Sequence, residues 1–264
     1  MKVLWKLAAV FCSLVLSLVV LATCVRAQTL RVAAAADLQF AMKDMGSEFE
    51  NKTGTQVEIS YGSSGNFRAQ IENGAPFDVF FSADAQYPEQ LVAAGVAVGQ
   101  SLFVYAQGHL VLWAPAGANL RLAERGFDAL KDARVGKIAI ANPEHAPYGR
   151  AAVAALQKAG LYDQLKGKLV YGENISQAAQ FAQSGSAQAG IIALSLTFAE
   201  SMKGGESWEV PRELYPPLQQ EAVIIKASPN QSAAKGFLEF VKSEEGRKIL
   251  SKYGLTPPEA GPKP

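Results

Sequence analysis

The chain has 264 residues, with 25 Lys and Arg against 24 Asp and Glu and a formal net charge of +1. So balanced a chain carries no electrostatic footprint for nucleic acid, and any anion it binds must be held by local donors. Both cysteines, Cys12 and Cys24, lie close to the N-terminus, which excludes a disulfide framework or a cysteine metal cluster in the remainder.

The first 27 residues read as a secretory signal. Lys2 and Lys6 form a basic start, residues 7–22 are apolar but too short and wrongly flanked for a membrane span, and Val25-Arg26-Ala27 resembles a cleavage site. A rival pattern, residues 21–24, is that of lipoprotein processing with an anchor at Cys24, although Thr23 fits it poorly. Either route exports the chain, and the expected location is the periplasm. Without Lys2, Lys6 and Arg26 the mature chain has 22 basic and 24 acidic residues, a net charge near −2. At about 237 residues it is long enough to be stable through its core alone.

The mature sequence alternates short apolar runs with helical periodicity, the signature of an α/β fold. Residues 30–36 predict a buried strand, and Asp37 caps a helix with Leu38, Ala41, Met45 and Phe49 on its apolar face, ending at Thr53-Gly54. Residues 57–61 predict a strand, 67–73 a helix stopped before Pro76, 79–82 a strand and 85–94 a helix. Residues 102–105 and 110–114 predict two strands joined through Gln107-Gly108, with His109 in a hairpin turn; the pair reads as a crossing into a second lobe. Strands at 137–141, 168–171 and 189–193 then alternate with helices at 147–156 and 176–184. The apolar run 218–225 carries the chain back, and helices at 233–241 and 245–253 close it. This gives a signal over 1–27, one lobe over 28–107 plus 220–264, and a second over 108–219.

Candidate chemistry gathers where strands run into helices. Tyr61-Gly62-Ser63-Ser64-Gly65-Asn66 places two hydroxyls and two glycines at a helix start, where free N–H groups make an anion site without a formal charge; an ordinary helix cap reads equally well. Residues 34–37 end the first strand in small side chains, suited either to a ligand or to close helix packing. In residues 142–149 Tyr148 sits near a helix start, as a hydroxyl donor or as a surface tyrosine. Asn174 is the expected cap of the helix after Glu173. Helix N-termini each carry roughly half a positive charge, so several converging from two lobes hold a dianion with neutral donors.

These segments resemble the periplasmic molybdate-binding proteins of ABC transporters. The resemblance rests on residues 33–38, 61–66 with Gln70-Ile71, GAPFDVFFSAD at 74–84, NPEHAPYG at 142–149, ENIS at 173–176 and GIIALS at 190–195, all in family order. It implies an α/β, two-lobed periplasmic-binding-protein type II fold with a two-strand hinge, enclosing a tetrahedral oxyanion. Carried across, Ser64 donates its hydroxyl and N–H, Tyr148 its hydroxyl or N–H, and Ile175 its backbone N–H. Ala193 stands where some members have a tyrosine that contacts the ligand, and Tyr148 takes that role. The family generally has a hydroxyl or amide residue at the end of the first strand, where this chain has Ala36 and Asp37. The expectation is that Asp37 turns inward to cap its own helix and, with Ala36, offers only backbone N–H. The implied partners are a permease and its ATPase, with molybdate or tungstate as ligand, a monomeric state and no cofactor.

Catalysis is not expected. Gly-Ser-Ser-Gly is not a G-x-S-x-G elbow, only His109 and His145 offer imidazole bases, and no H-E-x-x-H, G-x-G-x-x-G or P-loop is present. The alternative is a binding protein for another oxyanion, sulfate or phosphate. Phosphate carries a proton near neutrality, and Asp37 is an available acceptor for it.

Overall fold

A computed structural model describes residues 29–258. The signal segment, both cysteines, Gln28 and the last six residues lie outside the described residues.

Two five-stranded sheets organise the chain. In the first, β1 (Thr29–Ala35), β2 (Gln56–Gly62) and β3 (Val79–Ser82) alternate with helices α1 (Gln39–Thr53), α2 (Ser64–Glu72) and α3 (Gln86–Ala93). β1 pairs in parallel with β2 and β3, so Ala35, Gly62 and Ser82 end on one edge. β4 (Phe103–Gly108) completes this sheet beside the returning β10 (Leu218–Ile224), in the order β2-β1-β3-β10-β4.

The second sheet holds β5 (Leu110–Ala114), β6 (Ile138–Ala141), β7 (Leu169–Gly172), β8 (Ala189–Ala193) and β9 (Glu206–Glu209), in the order β7-β6-β8-β5-β9. Short α4 (Leu122–Arg125), then α5 (Pro147–Lys158), α6 (Tyr162–Leu165) and α7 (Ile175–Gln183) connect its strands. β6 pairs in parallel with β7 and β8, so Ala141, Gly172 and Ala193 also end together. Helices α8 (Gln231–Lys242) and α9 (Glu244–Lys252) return to the first lobe, where α8 packs Phe237 against Phe49 and Phe81.

The chain passes between lobes twice. β4 ends at Gly108 in the first sheet and β5 begins at Leu110 in the second, so one residue, His109, makes the first crossing. The stretch from Val210 to Leu218 makes the return, and it stays beside the first because Val210 N–H donates to Leu110 O at 2.9 Å. His109 is therefore not in a hairpin turn: β4 pairs with β10, while β5 pairs with β8 and β9. Its ring is buried, with Nε2 2.7 Å from Thr256 Oγ1. Two apolar runs separated by a glycine resemble a hairpin in sequence, but their hydrogen-bond partners lie elsewhere. Gly108 has a tertiary reason, since a Cβ there would collide with the Tyr148 hydroxyl.

A candidate oxyanion cleft between the lobes

In open α/β sheets, ligands bind beyond the carboxyl ends of the parallel strands. Both lobes turn that edge toward the same cleft. Ala35, Ala36 and Ala83 of the first lobe fall in one packed cluster with Tyr148 and Ile175 of the second. α7 also packs against the 3₁₀ turn Ala36–Leu38 that follows β1.

Ser64 is the first residue of α2 and is 1% exposed. Its Oγ accepts from Ala83 N–H at 3.0 Å, which fixes the oxygen and turns the hydroxyl proton toward another acceptor. Ser63, at the cap position, is occupied differently: its Oγ donates to His145 O at 2.6 Å and lies 2.8 Å from His145 Nδ1. Gly65 N–H donates to the same carbonyl at 2.9 Å. Gly65 has no room for a side chain, because a Cβ would sit 2.7 Å from both His145 O and Tyr87 Oη.

Tyr148 and Ile175 begin helices of the second lobe. Tyr148 follows Pro147 in the first turn of α5 and is buried, not a surface tyrosine. Ile175 is the first residue of α7, whose cap Asn174 accepts from Gln177 N–H at 3.0 Å as its sequence position implied. The first-turn N–H groups of Ser64, Tyr148 and Ile175 have no acceptor within their own helices.

Asp37 differs from expectation. It lies in the turn Ala36–Leu38, which has no side-chain cap, and α1 has none either. Its carboxyl instead reaches across the cleft floor, where Oδ2 accepts from the Tyr148 hydroxyl at 3.1 Å and from Gln220 Nε2 at 2.6 Å. Two neutral donors converging in the interior satisfy that oxygen better than a cap at the turn. The consequence for Tyr148 is that its hydroxyl proton is held by Asp37, leaving its N–H as the unassigned donor. Asp37 Oδ1 is buried without a partner. Burial pushes the Asp37 carboxyl up to about 6, against the bonds from Gln220 and Tyr148. Tyr148 is raised well above its ordinary value by its own burial and by Asp37.

Two residues that sequence reasoning missed complete this network. Ser195 Oγ donates to Asp37 O at 2.7 Å, tying the segment after β8 to the end of β1. Gln220 is fully buried in β10. No local signal marks Gln220, which stands in the polar triplet Gln219-Gln220-Glu221 of β10. On the cleft rim Arg150 bonds Asp84 Oδ2 at 2.5 Å and the Tyr87 hydroxyl at 2.9 Å, and Asn66 Nδ2 donates to Glu173 Oε1 at 2.5 Å. Ser176 Oγ donates to Gln39 Oε1 at 2.9 Å. The lobes are thus closed on one another. No cluster of three or more potential metal-ligating side chains occurs among the described residues.

Two mixed sheets bridged by two crossings, with strand ends and helix starts facing one cleft, define a solute-binding protein. The family model for bacterial extracellular solute-binding proteins matches residues 30–256. The molybdate-binding protein ModA of Rhodobacter capsulatus is 44% identical over 222 residues, 84% of this chain and 86% of the relative. ModA of Azotobacter vinelandii is 41% identical over 235 residues, 89% and 92% of the two chains. The solved Azotobacter vinelandii periplasmic molybdate-binding protein superposes with a TM-score of 0.82 at 36% identity, covering 87% of this chain and all of that one. The chain belongs to the bacterial extracellular solute-binding protein family, and within it to the ModA-type group that these relatives define.

Proposed function

We propose that this protein captures molybdate, and tungstate of nearly the same size and shape, between its two lobes and delivers it to an ABC permease with its ATPase. The observation that carries this reading is the convergence of four strand-to-helix junctions, at Ala36-Asp37, Ser64, Tyr148 and Ile175, on one interlobe space. The donors would meet the oxygen atoms of the anion: the Ser64 hydroxyl and N–H, and the N–H groups of Ala36, Asp37, Tyr148 and Ile175. None of them would coordinate the metal atom. Neutral donors at fixed spacing suit an ion with no proton of its own, and sulfate, being smaller, leaves some of them unpaired. The protein acts without catalysis or cofactor, as a monomer in the periplasm after its signal is removed.

One observation favours a second ligand class. The unpartnered Asp37 Oδ1 is an acceptor that hydrogen phosphate would satisfy. Calorimetric competition among molybdate, tungstate, sulfate and phosphate decides between them. Phosphate binding in preference to molybdate contradicts the leading reading.

A further inference from the structure

Asp37 presents a chemical problem to any oxyanion held in this cleft. Its side chain is 1% exposed and stands in hydrogen-bond contact with Tyr148, a residue of the proposed binding set. One carboxyl oxygen has two donors, and the other is buried with none. The donors that reach the carboxyl are neutral. The groups facing it are Tyr148 from α5, Gln220 from β10, Tyr105 from β4 and, beyond β3, Asp84, whose charge is engaged by Arg150. His145, on the loop leading into α5, is bonded to Ser63. A carboxylate placed against a dianion in so dry a setting is repulsive, and a single proton between them converts repulsion into a charge-assisted hydrogen bond.

We propose that the cleft binds its dianion together with one proton, held between Asp37 Oδ1 and a ligand oxygen. Asp37 is then a specificity-determining residue that reads the number of protons at the site. With molybdate the proton comes from solvent: ionised Asp37, one proton and the dianion combine into a neutral carboxylic acid donating to the bound ion. With hydrogen phosphate the ligand brings the proton itself, and no uptake occurs. This inference rests on the oxyanion reading above.

Burial already lifts the free carboxyl to about 6, so in mildly alkaline solution it is mostly ionised before the ligand arrives. The bound dianion lifts it further, and binding must then draw in a proton. The Tyr148 hydroxyl, raised well above its ordinary value, stays protonated throughout. Molybdate is a dianion over the same range, so the proton count belongs to the protein.

The test is calorimetric titration of the mature protein with sodium molybdate between pH 7 and pH 9, in buffers of different ionisation enthalpy. The inference predicts uptake of about one proton per bound ion near pH 8 and an affinity that falls by up to about tenfold per pH unit. Asp37→Asn puts an amide donor where the acid would be, so its binding should be independent of buffer and nearly independent of pH. If the variant binds too weakly to titrate, infrared difference spectra of the wild type at pH 8 provide the second readout, and a protonated carboxyl band should appear on adding molybdate. Tight molybdate binding with no proton uptake and no such band overturns the inference and leaves the oxyanion reading standing. Absence of molybdate binding overturns both.

Discussion

Ser63 of the first lobe and His145 of the second are joined twice, Ser63 Oγ donating to the His145 carbonyl at 2.6 Å while lying 2.8 Å from its ring Nδ1. A hydroxyl has one proton, so if it serves the carbonyl, the ring Nδ1 must carry its own proton and donate to Ser63 Oγ. The closed cleft thereby selects the Nδ1–H form of His145. Its other nitrogen faces Glu173 Oε2 at 3.8 Å. Ser63→Ala removes both contacts and leaves a buried carbonyl with only Gly65 N–H. Closure should weaken and molybdate affinity should drop roughly 5- to 50-fold, on the usual net worth of one or two hydrogen bonds. Unchanged affinity, measured by calorimetry, would remove this latch from the account.

Gly65 gives a sharper steric prediction. A methyl group there would sit 2.7 Å from His145 O and from Tyr87 Oη, one on each side of the cleft. The first turn of a helix tolerates alanine, so Gly65→Ala should fold normally and fail to close. Small-angle scattering should show no compaction on adding molybdate, and affinity should fall by more than about 100-fold.

Asp37 makes ligand-free stability depend on pH. Its folded value of about 6 stands above the ordinary 3.8, so between these values the native protein keeps a proton that the unfolded chain has released. The contribution of this group to stability therefore falls as pH rises through that window and is at its lowest above it. Asp37→Asn keeps an acceptor for Tyr148 and Gln220 without the buried charge. It should stabilise the ligand-free protein at pH 7 by about 2–3 kcal/mol, or several degrees of Tm, with the gain vanishing near pH 4. Thermal unfolding of both forms across pH 4–8 checks this, and a gain that persists at pH 4 contradicts it.

The helix starts that carry the candidate donors were legible because they are local, whereas the donor roles themselves came from the family resemblance. Ser64, Tyr148 and Ile175 sit at helix starts that turn chemistry and periodicity mark in sequence, and the Asn174 cap follows the same rule. The partners of Asp37 were not legible, since Gln220 is 183 residues away and reaches it only after β10 returns to the first sheet. A capping role fitted Asp37 by position, and a tertiary network displaced it. β9 also escaped notice. It is a four-residue edge strand, Glu206–Glu209, whose Trp208 packs on Phe127, and so short a run carries little periodicity. His109 looked like a turn because sequence records that two strands are adjacent but not which sheets they join.

Arg150 should tune closure without deciding it. Its guanidinium bridges to Asp84 and Tyr87 and lies 5.2 Å over the Tyr87 ring, but the arginine is about one-third exposed. Solvent screening limits such a pair. Arg150→Gln should lower molybdate affinity only a few-fold, and the wild-type advantage should shrink as salt rises from 0.05 to about 0.5 M, where the Debye length is far shorter. A loss that salt leaves untouched would assign Arg150 a packing role instead.

The most direct test is calorimetric titration of the mature wild type and of Ser64→Ala with molybdate, tungstate, sulfate and phosphate at one pH. The account predicts one-to-one binding of molybdate and tungstate, little or none of sulfate and phosphate, and a large loss in the variant. Molybdate binding that survives Ser64→Ala intact, or a wild type that prefers phosphate, contradicts it.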